Sequence, residues 1–233
     1  MKHIEFNNVS KEYVKDEDNK VVLKYNNIKI NQGDLVVVVG PSSSGKTTFI
    51  NLLSLLEKES SGDIMYEGLS TSNLKEKDIL KYRKENIGLV SDKYGLIDDL
   101  SVLQNILVAK KLSKNTLDID YLLKKLSLTK EKDSLARKLS KSEEEKVKLA
   151  RALVKKPKIL LCDGIFDLVD LKTAKQILKL IKSLSSKENM TIIISTNRAK
   201  IEAISNKVIT LKIGASCTVK ENKKQVSIGD LKW

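Results

Sequence analysis

The sequence predicts an α/β fold with a parallel core sheet, and two patterns carry that prediction. In the second half of the chain, short apolar runs alternate with longer amphipathic stretches, as in strand–helix–strand units with right-handed crossovers. Near residue 40, an apolar run leads through a glycine- and serine-rich loop into another amphipathic stretch. Both patterns are typical of a sheet whose faces are covered by helices.

The first third of the chain alternates apolar and polar residues, with polar turn residues such as 31–34 between the runs. This alternation is typical of strands that are buried on one face. We predict strands over residues 4–9, 21–30, 35–39 and 63–68. The strand at 35–39 joins the parallel core, and the others form an antiparallel N-terminal β subdomain.

The rest of the chain divides into a helical insert and a return to strand–helix alternation. A polar helix over 75–84 and a buried strand over 87–90 precede the insert, which covers about 93–140 and has leucines near helical spacing. The elements predicted after it are helix 143–154, strand 158–162, helix 171–184, strand 191–196, helix 199–205 and strand 207–211. A polar tail over about 214–233 carries a further strand at 225–228. We predict one domain over residues 1–233.

Composition limits the classes of protein to consider. The 233 residues are 41% hydrophobic, which is ordinary for a fold with one large core. No run approaches the ~20 apolar residues of a membrane-spanning helix, and the N-terminus lacks the apolar core of a signal peptide, so we expect a cytoplasmic protein. Cys162 and Cys217 lie far apart without metal-ligand spacing and are interpreted as reduced thiols.

The formal charge of +13 raises the question of a polyanionic partner. Lysines are spread along the whole chain among abundant Asp and Glu, as on solvated helix faces. Aromatic residues, which stack on bases, make up only 4% of the chain. The charge therefore makes no strong case for nucleic acid.

The loop after the strand at 35–39 has the form G-x-x-x-x-G-K-[ST], the Walker A pattern. Its two glycines let the backbone curl so that successive N–H groups point inward, and the following helix adds the positive end of its dipole. Such a concavity fits a polyphosphate. The predicted phosphate-binding residues are Gly40, Pro41, Ser42, Ser43, Ser44, Gly45, Lys46, Thr47 and Thr48.

Three side chains of this loop have distinct expected roles. Lys46 reaches the β and γ phosphates as a point charge, and the Thr47 hydroxyl ligates a magnesium ion that bridges them. Thr48 adds one more hydroxyl. The loop therefore predicts a protein that holds a magnesium nucleotide.

Together with the helical insert and with Leu139-Ser140 ahead of the stretch 146–153, the pattern resembles the ATP-binding subunit of ABC transporters. The resemblance runs from about residue 4 to residue 211. Within the family, segments 60–63 and 100–106 are similar to the group that serves lipoprotein-releasing, macrolide-export and cell-division transporters. The resemblance implies ATP and Mg²⁺ as ligands and a transmembrane permease subunit as partner, contacted through residues 92–108. It also implies a homodimer, or a heterodimer with a second ATP-binding subunit, on the inner face of the membrane.

The resemblance assigns two more residues to the site. Tyr13 falls at the family's aromatic position that stacks on adenine, although a strand-end tyrosine is an equally simple description of it. Asp163 ends an apolar run, where it matches the family's magnesium-facing aspartate. Asp163 and Thr47 are thus the expected metal ligands.

Three other family positions carry residues that change the chemistry. Gly164 stands where a glutamate orients or deprotonates the attacking water, and glycine can do neither. Asn197 stands at the switch histidine that contacts the γ-phosphate. Asp92 replaces a glutamine and is a further candidate magnesium ligand, with a shorter reach and a charge. The nearby carboxylates Asp167 and Asp170 are not expected to replace the missing glutamate.

The family's signature loop, L-S-G-G-Q, is Leu-Ser-Lys-Ser-Glu here, at residues 139–143. In a head-to-tail dimer that loop caps the partner's ATP, so the side chains of Lys141 and Ser142 crowd the approach and the acidic run 143–145 repels phosphate. Ser140 and Glu143 have the spacing of a capping box, in which they satisfy the N–H groups of their own helix. We expect this capping box and, as its consequence, loss of signature function.

These observations support two classes of function. The preferred hypothesis is a subunit that binds Mg-ATP with little or no hydrolysis and regulates or scaffolds a membrane transporter, because base, switch and signature are altered together. The alternative is a catalytically active motor subunit that drives transport. A nucleic-acid-associated ATPase of the same family is less favoured, since family members that act on ribosomes carry two ATPase halves. A P-loop kinase is disfavoured by the order of elements.

Overall fold

The computed structural model describes residues 2–15 and 18–232, which form two sheets and the helices packed around them. The strands are β1 (Lys2–Lys15), β2 (Asp18–Asn31), β3 (Leu35–Val39), β4 (Ser61–Tyr66), β5 (Leu69–Ser70), β6 (Ile87–Ser91), β7 (Ile159–Asp163), β8 (Thr191–Ser195), β9 (Lys207–Thr210) and β10 (Thr218–Glu221). The α-helices are α1 (Lys46–Leu53), α2 (Glu76–Asn86), α3 (Val102–Lys110), α4 (Ile119–Lys125), α5 (Lys141–Leu153) and α6 (Leu171–Glu188). Short 3-10 helices cover Ala136–Lys138, Ile165–Asp167, Ala199–Ile204 and Ile228–Asp230.

The smaller sheet is antiparallel and comes from the N-terminal part of the chain. Its strand order is β2-β1-β4-β5. Ile4, Phe6 and Val9 of β1 are buried against the rest of the molecule. The predicted antiparallel N-terminal subdomain is confirmed, and β1 continues past residue 9, so that Tyr13 lies in a paired strand opposite Lys20.

The larger sheet has the strand order β10-β9-β3-β8-β7-β6 and is parallel except for β10, which runs antiparallel to β9. Successive residues of β3 enter two cores because side chains alternate across a sheet. Val36 and Val38 belong to the core shared with α1 and the antiparallel sheet, whereas Val37 and Val39 belong to the core shared with α5 and α6. The predicted parallel core sheet is confirmed.

The register of the parallel strands decides where polar residues meet. Ser91, Asp163 and Ser195 lie side by side at the carboxyl ends of β6, β7 and β8. Val38 of β3 pairs with Ser195, so the loop that follows β3 opens at the same edge. Ligand sites of open α/β sheets form at this edge, beyond the carboxyl ends of the strands.

The elements predicted for the second half are present, with two differences in the C-terminal region. The strand predicted at residues 225–228 is wrong, because the edge strand is Thr218–Glu221 and residues 228–230 form a 3-10 turn. All four residues of β10 are exposed, and the strand is held by its backbone pairing with β9, so it has no hydrophobic pattern to detect. The helix predicted at 199–205 is a 3-10 helix.

The helical insert contains α3, α4 and one 3-10 helix, and α3 starts with a capping box between Ser101 and Gln104. Cys162 lies in β7 and is fully buried, as its apolar surroundings in the sequence predict. Within the described residues, no helix combines the length and the apolarity needed to cross a bilayer.

Candidate functional site

A cavity of about 610 Å³ opens at the carboxyl edge of the larger sheet. The β1–β2 pair forms one end, the loop after β3 forms the middle, and the ends of β6, β7 and β8 form the other end. The predicted residues that line it are Tyr13, Ser42, Ser43, Gly45, Lys46, Thr47, Thr48, Asp92, Asp163, Gly164 and Asn197. The lining residues that sequence reasoning did not assign to the site are Lys20, Val22, Ser91, Lys93, Asp167 and Ser195.

The loop after β3 has a backbone shape that favours glycine at two positions. Gly45 has φ +93°, and a Cβ there would lie 2.5 Å from Cγ1 of Val22, so the loop also approaches β2 too closely for a side chain. Ser43 has φ +63° without being glycine. This geometry curls the loop toward the cavity.

The first turn of α1 is available to an anion. The helix begins at Lys46, its N-cap is Gly45, and no side chain caps it. Its first N–H groups therefore lack the side-chain partner that a helix start usually has, and the helix dipole adds positive potential there. These features fit a phosphate-bearing ligand.

Lys46 lies between the loop and the acidic end of the cavity, which is the end that carries Asp92, Asp163 and Asp167. Its Nζ donates to the carbonyl oxygens of Gly40 at 2.8 Å and Pro41 at 2.9 Å. Burial lowers the pKa of Lys46, and the carboxylates of Asp167 and Asp163 oppose that shift. Gly40 and Pro41 do not line the cavity themselves; their carbonyl oxygens hold Lys46, which does.

Ser44, the remaining predicted residue of the loop, is buried beneath it. Its side chain is 1% exposed, and a Cβ added at Gly40 would lie 2.5 Å from its Oγ. The Oγ has no hydrogen-bond partner among the described residues. Ser44 therefore packs under the loop and does not line the cavity.

Tyr13 is held by its hydroxyl at the β1–β2 end. The Oη donates to Glu57 Oε2 at 2.5 Å and lies 3.2 Å from Thr48 Oγ1. Asn51 donates to the other oxygen of Glu57, and Lys11 Nζ lies 5.0 Å from the centroid of the tyrosine ring. Burial, then the hydrogen bond with Glu57, raises the pKa of Tyr13. Glu57 fixes the ring, and nothing in the sequence indicated this role.

Asp163 and Thr47 both line the cavity with Lys46. Asp163 Oδ1 accepts a hydrogen bond from Ser195 Oγ at 2.5 Å. In the part of the chain that the structure describes, no three His, Cys, Asp or Glu side chains are grouped to hold a metal. A magnesium ion bridged to phosphates keeps several waters and needs only one or two protein oxygens, a donor set that Asp163 and Thr47 supply.

The end of β7 lacks a side chain at the position after Asp163. Gly164 has φ +75°, its N–H donates to Ser195 O at 3.1 Å, and an added Cβ would meet nothing within 4 Å. The position is therefore open but strained for any residue with a side chain. No neighbouring atom occupies the space where the family resemblance places the first side-chain carbon of a glutamate.

Asp167 accepts hydrogen bonds from the main chain and the side chain of Asn197. Its Oδ1 accepts from Thr196 Oγ1 at 2.6 Å and from Asn197 N at 3.1 Å, and its Oδ2 accepts from Asn197 Nδ2 at 3.1 Å. The side-chain amide at the switch position is turned toward Asp167. The sequence placed Asp167 near the site but did not show this pairing.

Asp92 is bound to a buried ion pair. Its Oδ1 lies 2.9 Å from Lys148 Nζ, which lies 2.5 Å from Glu145 Oε1, and the side chains of Lys148 and Glu145 are each 1% exposed. Lys141 Nζ lies 3.5 Å from the same Asp92 oxygen. Burial alone would raise the pKa of Asp92, but the two lysines lower it. Asp92 thus joins the cavity wall to α5.

The capping box at the start of α5 is confirmed. Ser140 Oγ accepts from the Glu143 N–H, and Glu143 Oε2 accepts from the Ser140 N–H at 2.8 Å. The Ser140 hydroxyl also donates to Glu143 Oε2 at 2.7 Å, and the bonds from this hydroxyl and from the Ser140 N–H lower the pKa of Glu143. None of residues 139–143 lines the cavity. The sequence predicted that the acidic residues 143–145 would repel the ATP of a partner subunit. This is wrong for Glu145, whose side chain is buried against Lys148.

The comparisons with known proteins agree with this architecture. The family model described as ABC transporter matches residues 23–166. A bacitracin export ATP-binding protein of Halalkalibacterium halodurans is 31% identical over 216 residues, which cover 91% of this chain and 85% of the relative. A methionine import ATP-binding protein of Staphylococcus epidermidis is 32% identical over 234 residues, which cover 98% of this chain and 66% of the relative.

A solved structure shows the same fold with nucleotide. The dimeric structure of a post-hydrolysis state of the ATP-binding cassette MJ0796, bound to ADP and Pi, matches with a TM-score of 0.85 and 27% identity. The match covers 94% of this chain and 98% of that one. The fold and the phosphate-binding loop define a nucleotide-binding cassette. The chain belongs to the ABC transporter family, and it is an ATP-binding subunit of such a transporter.

Proposed function

We propose that this subunit holds Mg-ATP with little or no hydrolysis of its own and regulates or scaffolds its transporter. The observation that carries the proposal is that two residues at the acidic end of the cavity, Gly164 and Asn197, lack the groups that assist hydrolysis in the family. Gly164 has no side chain to act on the attacking water, and the amide of Asn197 is bonded to Asp167. Positioning and charge stabilisation of the transition state are therefore both reduced.

The binding half of the proposal rests on the loop. Lys46 and the inward N–H groups hold the phosphates, Thr47 and Asp163 hold the magnesium ion, and the ring of Tyr13 stacks on the adenine. The magnesium ion, when bound, neutralises phosphate charge. Asp92 was a further candidate ligand, but its Oδ1 lies against two lysines, so we assign it to the ion pair with Lys148 instead.

The altered signature supports the same proposal. The first turn of α5 is closed by its own capping box, and no glycine is present at 141 or 142. A second copy of this chain therefore offers few free N–H groups to the γ-phosphate across a dimer interface. We propose a dimer, either of two identical subunits or with a second ATP-binding subunit, whose assembly or gating responds to ATP.

Contact with the permease is proposed at a groove between α2, α3 and α5. The groove has a volume of about 490 Å³, and its wall includes the apolar side chains of Leu80, Tyr94, Val108 and Leu112, which are 39% to 52% exposed. Exposed apolar side chains around a groove are typical of a protein–protein contact. Through this contact the subunit would lie at the cytoplasmic face of the membrane.

Calorimetric titration and a turnover assay test the nucleotide proposal. We expect the purified protein to bind Mg-ATP and to hydrolyse it near the background rate, and Lys46→Ala to weaken binding about 100-fold or more because one charge-assisted phosphate contact is lost. Lys81→Ala, on the exposed surface of α2, is the matched control. Robust turnover by the unaltered protein would establish the active motor subunit instead.

Gly164→Glu and Gly164→Ala sharpen the turnover result. Both variants carry the same backbone strain at φ +75°, but only the first adds a carboxylate. We expect at most a small rise in turnover for Gly164→Glu, because the switch and signature positions remain altered. A full recovery would show that the glutamate alone was missing.

Membrane association in the native cell tests the docking groove. Val108→Glu and Leu112→Glu place charges on the apolar wall, and we expect each to reduce the fraction of the subunit that sediments with membranes. Val226→Glu, on an exposed residue of the C-terminal segment, is the control. Unchanged sedimentation of the first two variants would show that the permease does not bind at this groove.

A further inference from the structure

We propose that Asp167 makes this site favour a nucleoside diphosphate over a triphosphate, by fixing a negative charge where the terminal phosphate of the triphosphate would lie. The inference rests on the proposed function in one respect, that the cavity binds nucleotide; ATP still binds, and the diphosphate binds more tightly. It adds a specificity-determining residue at a position that sequence reasoning had set aside.

The order of residues along the cavity sets the direction of a bound nucleotide. Tyr13 lies beside Thr48 on one flank of the loop, and Lys46 of the same loop interacts with Asp163 and Asp167, which line the cavity beyond it. A base placed against Tyr13 directs its phosphates along the loop toward the two carboxylates. The last phosphate of the chain therefore comes nearest to them.

Asp167 is held rigidly at that end. Its two carboxylate oxygens accept hydrogen bonds from the Thr196 hydroxyl and from both the main-chain and side-chain N–H groups of Asn197. These donors are neutral, so they orient the carboxylate. The cations near it include Lys46, whose pKa it affects, and Arg198, whose guanidinium donates to the Asp167 carbonyl oxygen at 3.4 Å. A fixed carboxylate cannot swing away when a phosphate arrives.

Lys46 and the two carboxylates line the same cavity, and Lys46 is the residue that the loop presents to a phosphate chain. The charges of Asp167 and Asp163 also oppose the lowering of the Lys46 pKa by burial. Asp163 is assigned to a magnesium ion in the proposed function. Asp167 has no such role, so its charge would act on the terminal phosphate.

The amide of Asn197 only partly offsets this charge. Its main-chain N–H and one N–H of its side-chain amide are directed at Asp167, so one amide N–H remains for a terminal phosphate. A terminal phosphate therefore meets one neutral donor and the like charge of Asp167.

Calorimetric titration with Mg-ATP and Mg-ADP at low temperature tests the inference on the full chain. We expect the unaltered protein to bind ADP about tenfold more tightly than ATP, since two like unit charges ~5 Å apart repel by several times the thermal energy at an effective dielectric of ~20, before screening. Asp167→Asn keeps the shape and an acceptor oxygen while removing the charge. We expect this variant to bind ATP about tenfold more tightly and ADP within about twofold of the unaltered protein.

The control is Asp170→Asn, which changes the same residue type three positions away, where the carboxylate caps α6. It should leave both affinities unchanged, and the melting temperature of each variant reports whether it folds. Asp167→Ser serves as a second variant if Asp167→Asn unfolds. Equal affinities for ATP and ADP in the unaltered protein, or an unchanged ratio in Asp167→Asn, would overturn the inference alone. Binding of neither nucleotide would overturn the proposed function as well.

Discussion

The phosphate-binding loop and the acidic end of the cavity lie at the same sheet edge, but their glycines differ in how closely they are packed. At Gly45 an added Cβ would lie 2.5 Å from Val22, whereas at Gly164 it would meet nothing within 4 Å. The loop is thus fixed by packing as well as by phosphate chemistry. The position after Asp163 can lack a side chain without disturbing its neighbours.

The largest expected effect is on the buried ion pair that joins the acidic end to α5. Lys148→Ala should lower the free energy of unfolding by about 3–5 kcal/mol, because Glu145 would be left buried with only the half-exposed Lys141, 3.5 Å from its Oε1, as a cation. Urea denaturation measures this change. The double variant Lys148→Met with Glu145→Met removes both charges and should recover much of the loss. A single variant within about 1 kcal/mol of the unaltered protein would show that the pair is not a structural link.

Two alanine variants test whether packing constrains the phosphate-binding loop more than the acidic end. Gly45→Ala should lower the free energy of unfolding by about 2–4 kcal/mol, because it adds both a left-handed φ and a clash with Val22. Gly164→Ala adds the left-handed φ alone and should cost about 1 kcal/mol. Thermal and urea denaturation give both values. Equal losses would mean that the loop and the acidic end are equally constrained by packing.

At the opposite end of the cavity, two variants separate the ring of Tyr13 from its hydroxyl. Tyr13→Ala removes the surface on which a base stacks and should weaken ATP binding about tenfold. Tyr13→Phe keeps the ring and loses only the hydrogen bond to Glu57, so we expect a change within about threefold. Calorimetry measures both. Similar losses for the two variants would show that the hydroxyl, and not the ring, supports binding.

The smallest expected effect is a pH dependence at Asp170, close to the acidic end but outside it. The Thr173 N–H and then its hydroxyl lower the pKa of Asp170, so its charged form stabilises the folded state. That stability is present above the ordinary Asp pKa of ~3.9 and is lost as pH falls through the lowered value. Asp170→Asn still caps α6 but does not titrate, so its unfolding free energy should vary less between pH 7 and pH 3, by under about 1 kcal/mol because the site is exposed. Parallel pH profiles for the two proteins would contradict this assignment.

Most of the fold could be read from local patterns. The apolar runs of β3, β7 and β8 are buried strands, and the strand pairs of the core run parallel as the strand–helix alternation requires. The edge strand β10 escaped prediction because all of its residues are exposed. An edge strand joined only through its backbone carries no hydrophobic period.

The sequence by itself determined the features that depend on residues close together in the chain. The phosphate-binding loop follows from the φ angles that its glycines allow, and the capping box follows from a spacing of three residues between Ser140 and Glu143. Tertiary structure alone decided which distant side chains meet. It paired Asp167 with Asn197 and Asp92 with Lys148, 30 and 56 positions apart, because strand register and helix packing place them together. Local spacing carries no information on such pairs.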